Sequence, residues 1–262
     1  MVEKTSERRH WDDFWRRDRD LDEIYDNDGR IPEELGKRMD VAGMTIMEVG
    51  AATARDSVTL ASRGAAVVAL DYSHEALRLA REAAERAGVK LLLVCGDALA
   101  LPFRECTFHL VFHQGVLEHF HRPLPFLEEN ARVARPGGTV LVDVPQTLHV
   151  YTLMKKLLIA LDAWFAGWET QYTVGSLGRL LKKAGLEPRS SYGRFFSPSL
   201  FYRVLREALM KLGIKLPLRP VILPPFHRFR ARIRKAAEAS PLGPGLGCVI
   251  GVLAEKPGKN LT

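Results

Sequence analysis

A chain of 262 residues, 47% apolar and 26% charged, has the make-up of a globular protein with room for one α/β domain and an elaboration. No apolar run reaches the roughly 18 uncharged residues of a membrane span, and the opening MVEKTSERRHWDDFWRRDRD lacks the apolar centre of a secretory signal. Cys95, Cys106 and Cys248 are too few and too far apart for a disulfide framework or a zinc site, so no metal and a cytosolic setting are expected. The net charge of +7 is unevenly spread: residues 1–47 carry −4, while residues 198–240, with ten cations against two acids, carry +8.

In chain order, HWDDFW (His10 to Trp15) reads as a short amphipathic helix that buries Trp11, Phe14 and Trp15. Five apolar runs follow: MTIMEVG, AAVVALD, KLLLVCGD, FHLVFHQ and GTVLVDVP. Helical stretches separate them, among them SHEALRLAREAAERAG, where Ser73 is placed to cap the start and Gly88 the end. Strands apolar on both faces and divided by helices imply a parallel sheet covered on both sides, so a doubly wound α/β topology is expected. The PGG at Pro136 to Gly138 reads as a tight turn before the fifth strand. Beyond it, a helix covers 148–168 and another, TVGSLGRLLKKAGLEP, ends at Gly185; SSYGRFF and GCVIGVLAEKP read as the last two strands. The basic segment 198–240 is inserted between those two strands. The expected organisation is a helical cap over 1–40, a core domain of 41–197 with 241–262, and the insertion as a lid or acceptor-side platform.

In an open parallel sheet, ligands sit beyond the carboxyl ends of the strands. Those ends present Glu48 and Gly50, then Asp71, then Gly96 and Asp97, then His113, Gln114 and Gly115. Asp71 suits a carboxylate that holds both hydroxyls of an adenosine ribose, or it caps the next helix. Asp97 can accept from an adenine amine, or simply shape its turn. The loop Gly50-Ala51-Ala52-Thr53-Ala54-Arg55 fails the dinucleotide pattern, and Glu48 opposes a pyrophosphate. An acid-lined site suits a cationic ligand without phosphate, and S-adenosylmethionine (SAM) has that chemistry.

IMEVGAATARDS, VVALDYS, VCGDALALPF, FHLVFHQGVLEHF and RPGGTVLVDVP, in this order from Thr45 to about Asp143, resemble the motifs of class I SAM-dependent methyltransferases of the small-molecule and lipid branch. The resemblance implies a seven-stranded sheet with an antiparallel last strand, SAM as cofactor and S-adenosylhomocysteine as product. It places Glu48, Gly50 and Ala52 near the methionine moiety, Asp71 at the ribose, Asp97 and Ala98 at the adenine, and His113 and Gln114 at the methionine end, with Tyr72 also among the cofactor-binding residues. It also likens HWDDFW to a helix that closes over SAM. The departure is at Ala52 and Ala54, where the family usually has glycine, and a weakened SAM site is one expectation from it.

His119 in VLEHF is the candidate base, against a packing role for its ring, and Asp143, Gln146 and Tyr172 are candidates for the acceptor site. A small-molecule or lipid-like acceptor is expected, with an anionic membrane surface as a possible partner of the basic segment and nucleic acid disfavoured for want of a recognised module. A catalytically impaired SAM-fold regulator is the alternative, and an RNA or protein methyltransferase a weaker one.

Overall fold

Residues 8–16, 29–149, 152, 156, 159–160, 169–195, 202, 205–206, 209–210, 212–217, 224–240 and 242–258 are described by the computed structural model. In chain order they form α1 (Arg8–Arg16), α2 (Arg30–Gly36), β1 (Thr45–Val49), α3 (Arg55–Ser62), β2 (Ala66–Asp71), α4 (His74–Ala87), β3 (Leu91–Cys95) and β4 (Phe108–Gln114). A 3-10 turn, Leu117–His119, leads to α5 (Pro123–Val133), β5 (Ala134–Pro145), α6 (Val174–Lys183), β6 (Glu187–Arg194), α7 (Pro224–Ala239), α8 (Gly243–Leu246) and β7 (Val249–Glu255). Most of the helix expected over 148–168 lies outside the described residues, as do Phe201 and the side chains of Phe226 and Arg230.

The strands pair as one seven-stranded sheet in the order β3-β2-β1-β4-β5-β7-β6, with β7 antiparallel to both neighbours. The order reverses between β1 and β4, which sets the loops after those strands side by side. β1, β2 and β4 are buried along almost their whole length because both sheet faces are covered. One face packs Met47, Val49, Val111, Val140 and Val142 with Phe126, Leu127, Leu177 and Leu181. The other packs Ile46, Leu110, Phe112 and Leu141 with Ile31, Leu35 and Leu60. Each of the large side chains fully withdrawn from water contributes about 1.5–3 kcal/mol of transfer free energy.

Local signals held where they were local. The Ser73 hydroxyl accepts from the N–H of Ala76, and Gly88 closes α4 at φ 65°. Thr173 and Ser176 form a reciprocal capping box on α6. PGG, by contrast, is not a turn before the fifth strand. It lies inside β5 as a bulge, where the pairing with β4 slips from Phe108–Ala134 to Leu110–Thr139.

Candidate active site

The loop after β1 keeps the backbone of a glycine loop although it carries alanines. Gly50, Ala52 and Ala54 all have positive φ, at 68°, 49° and 52°. L-residues there pay about 1–2 kcal/mol for the contact of Cβ with the backbone. The loop is fixed from beneath: the N–H groups of Gly50 and Ala51 donate to the Leu70 carbonyl at 2.8 and 3.0 Å. The two alanines differ in surroundings. Ala54 is fully buried and packs with Ala51, Ala69 and Ala80, whereas Ala52 is half-exposed at the mouth of the loop. At Gly50 only hydrogen fits, because a Cβ would stand 2.6 Å from Cγ2 of Val116, in the loop after β4. The two loops at the switch point are thus in van der Waals contact.

Asp71 ends β2 with its carboxylate turned back to the loop. Its Oδ2 accepts from the N–H of Ala52 and its Oδ1 from the N–H of Ser73, both at 2.9 Å. Burial raises its pKa against the pull of these N–H donors, and Asp12 adds to the rise. Asp12 arrives on α1 and accepts from the Ser73 hydroxyl at 2.6 Å. From the same helix Trp11 meets the His119 ring edge-on, with centroids 5.1 Å apart. α1 therefore reaches both the end of β2 and the segment after β4. Tyr72 is half-buried next to Asp71. Asp97 is exposed and its Oδ1 accepts from the N–H of Leu99 at 2.8 Å, so it shapes its own turn, with Ala98 inside that turn. Gln114 is half-buried at the end of β4.

Two expected site residues face elsewhere. Glu48 is buried beneath the loop and binds Ser57, accepting from its hydroxyl at 2.5 Å and its N–H at 3.2 Å. Its carboxylate therefore clasps α3 to β1. Burial, then the charges of Asp56 and Asp71, push its pKa well up. His113 points into the core edge-on to Phe126 at 4.7 Å, with no hydrogen bond to either ring nitrogen from the described residues. Burial pushes its pKa down to about 3, so the ring stays neutral and offers the site no side-chain group.

Other groups were not foreseen in these roles. Asp143, fully buried, accepts from the Arg30 guanidinium at 2.6 Å and from the Tyr192 hydroxyl at 2.8 Å. Its place in the apolar run VLVDVP signals that a partner is required, since a buried charge must be paired. Gln146 bridges to Tyr172 and donates to the Pro244 carbonyl at 3.1 Å. The Tyr172 hydroxyl is buried without a hydrogen-bond partner among the described residues, and its pKa is raised by burial and then by Glu118. Glu118 and Tyr172 thus lie near one another beside His119.

This geometry defines an α/β domain with a candidate ligand site beyond the carboxyl ends of β1, β2 and β4, beside a short helix that reaches Ser73 and His119. Residues 47–142 match the family model of a methyltransferase domain. A ubiquinone biosynthesis O-methyltransferase of Ruegeria pomeroyi is 28% identical over 175 residues, 65% of this chain and 71% of that one. A demethylmenaquinone methyltransferase of Thermobifida fusca is 36% identical over 119 residues, 44% of this chain and 50% of that one, so the chain spans half of that relative. A SAM-dependent methyltransferase structure from Thermotoga maritima shares the fold at TM-score 0.57 and 18% identity, covering 90% of this chain and 91% of its own. Residues 47–142 are thus a methyltransferase domain of the class I SAM-dependent type, whose cofactor is SAM.

The residues present fit that cofactor. The loop retains the positive-φ shape that brings backbone close to a ligand. The Asp71 carboxylate stands at the loop on the N–H of Ala52, where it opposes a phosphate and suits a cation.

Proposed function

We propose that this chain methylates a small, largely apolar acceptor of the quinol or phenol type, and that it holds SAM less tightly than a loop with glycine at position 52 would. The names of the Ruegeria and Thermobifida relatives support the acceptor class. The observation that carries the reading is the seat of α1, with Asp12 on Ser73 and Trp11 on His119. A helix laid over the carboxyl ends of β2 and β4 encloses the site, and an enclosed site suits a small acceptor better than a polymer.

In this reading the loop Gly50 to Ala54 and Asp71 hold the cofactor's amino-acid and ribose parts, with Tyr72, Asp97 and Ala98 at its base. The cofactor supplies an activated methyl group on a sulfonium. The chain supplies position, which carries most of the acceleration of an in-line displacement. Trp11 fixes the plane of the His119 ring, and that ring takes the proton of an acceptor hydroxyl. Tyr172 and Glu118 form the polar side of the acceptor compartment. The strained alanines favour a second reading, a chain that binds SAM but turns over slowly.

Transfer of labelled methyl from SAM to a panel of catechols and hydroquinones, with RNA and protein as competitors, tests this. His119→Ala should lower kcat by about 10²–10⁴ while leaving SAM affinity unchanged. Methylation of RNA or protein alone would refute the acceptor class, and binding of SAM without transfer to any acceptor would favour the second reading.

A further inference from the structure

The inserted helix α7 has two sides of opposite character. Its inner side is anchored: the Glu238 carboxylate accepts from the N–H of Phe195 at 3.1 Å and from Arg194 at 3.0 Å. Arg194 is in turn held by Glu34 of α2 at 2.6 Å. Glu238 is the only acid between Pro224 and Ser240, and it is spent inward.

The outer side is apolar and cationic at once. Phe229 and Ile233, four residues apart, are 59% and 54% exposed. Arg228 and Arg232, also four apart, and Lys235 three further on are exposed as well. Helical spacing places the apolar pair and the cations on two adjoining stripes of one face. The next helix, α8, packs on α7 and adds Leu242 and Leu246, which are 69% and 53% exposed. Leaving such side chains in water gains nothing for the fold.

We propose that this face of α7 docks the protein on an anionic lipid bilayer, with Phe229 and Ile233 in the acyl boundary and Arg228, Arg232 and Lys235 among the phosphates. Charge complementarity selects this occupant: three cations and no acid flank the apolar pair. An aliphatic side chain such as Ile233 gains from hydrocarbon, whereas a nucleic-acid groove would reward stacking rings instead. Attachment would be peripheral, since no helix of the described residues is long and apolar enough to cross a membrane.

Co-sedimentation of the full chain with vesicles of phosphatidylglycerol and phosphatidylcholine, against phosphatidylcholine alone, tests the docking. Binding to the anionic vesicles is expected, fading with salt. At about five-fold per cation, Arg228→Gln/Arg232→Gln/Lys235→Gln should weaken it roughly a hundred-fold. Phe229→Ser/Ile233→Ser should weaken it about ten-fold or more while the salt response persists. The exposed cations of α6 provide the control for general charge, as Arg179→Gln/Lys182→Gln/Lys183→Gln, and thermal melting checks that each variant folds. Absence of binding to anionic vesicles, equal binding to neutral ones, or an equal loss in the α6 control would overturn the proposal.

Discussion

The Oδ2 atom of Asp71 accepts a hydrogen bond from the N–H of Ala52 at 2.9 Å, joining the end of β2 to the loop after β1. A residue expected to serve the ligand thus also sets the loop that surrounds it. The other oxygen holds the N–H of Ser73, whose hydroxyl is bound by Asp12 of α1. The loop, the end of β2 and the covering helix are one hydrogen-bonded unit.

Asp71→Asn keeps the size of the side chain but removes its charge and one acceptor. SAM affinity should fall by about 1.5–3 kcal/mol, the range for hydrogen bonds to a charged group. Calorimetric titration reads this directly. Unchanged affinity would take Asp71 out of the cofactor site.

Gly50→Ala should be costly for two separable reasons. The positive φ costs about 1–2 kcal/mol, and the Cβ lodged against Val116 adds about 1–3 kcal/mol of overpacking. Val116→Ala should relieve the second cost only. In urea unfolding, the double variant is expected to be more stable than the sum of the singles implies, by about 1 kcal/mol or more. Strict additivity would mean that the two loops do not press on one another.

His113 makes stability depend on pH. Its pKa is pushed down to about 3 in the folded chain, against 6.5 for an exposed imidazole. The unfolded chain therefore binds the extra proton, so stability is full above pH 6.5 and is lost as pH falls from there toward about 3. Between pH 7 and pH 5 this one group should cost about 2 kcal/mol. Urea midpoints of His113→Leu should consequently fall less than those of the parent over that interval. Parallel losses would show that the ring is protonated in the folded protein.

The parts legible in the sequence were those decided by near neighbours. Apolar runs marked all five parallel strands; in β1, β2 and β4 this is because strands buried on both faces have no polar alternation to maintain, whereas β3 is a half-exposed edge strand. Ser73 and Gly88 marked the ends of α4 because a cap is made within one turn. PGG was misread because a bulge is set by the register of β4, which the local residues do not encode. Glu48 was placed at the ligand by its position on β1, but the return of α3 brings Ser57 over it. On a strand with two buried faces, position alone did not say that His113 would turn to Phe126. The contacts that complete the site span longer stretches still: Asp12 and Ser73 are 61 residues apart, and Arg30 and Asp143 are 113 apart.

The most direct test concerns the alanines of the loop. At Ala54 the relief of backbone strain is offset by a lost buried methyl, about 0.8 kcal/mol, and by added chain entropy, about 0.4–1 kcal/mol, so Ala54→Gly should change stability by less than about 1 kcal/mol. At Ala52 the methyl stands half-exposed at the mouth of the loop, where the proposed function puts the cofactor's amino-acid part. Calorimetric titration of SAM into the parent chain and into Ala52→Gly is therefore decisive. The expected result is saturable binding to both, tighter in Ala52→Gly by roughly 1 kcal/mol, or about five-fold, because the backbone then approaches the cofactor without an intervening methyl. Relief of the positive φ, which the free loop already has at 49°, raises stability rather than affinity. Equal or weaker binding by Ala52→Gly would contradict the account of a loop held back by its methyl group.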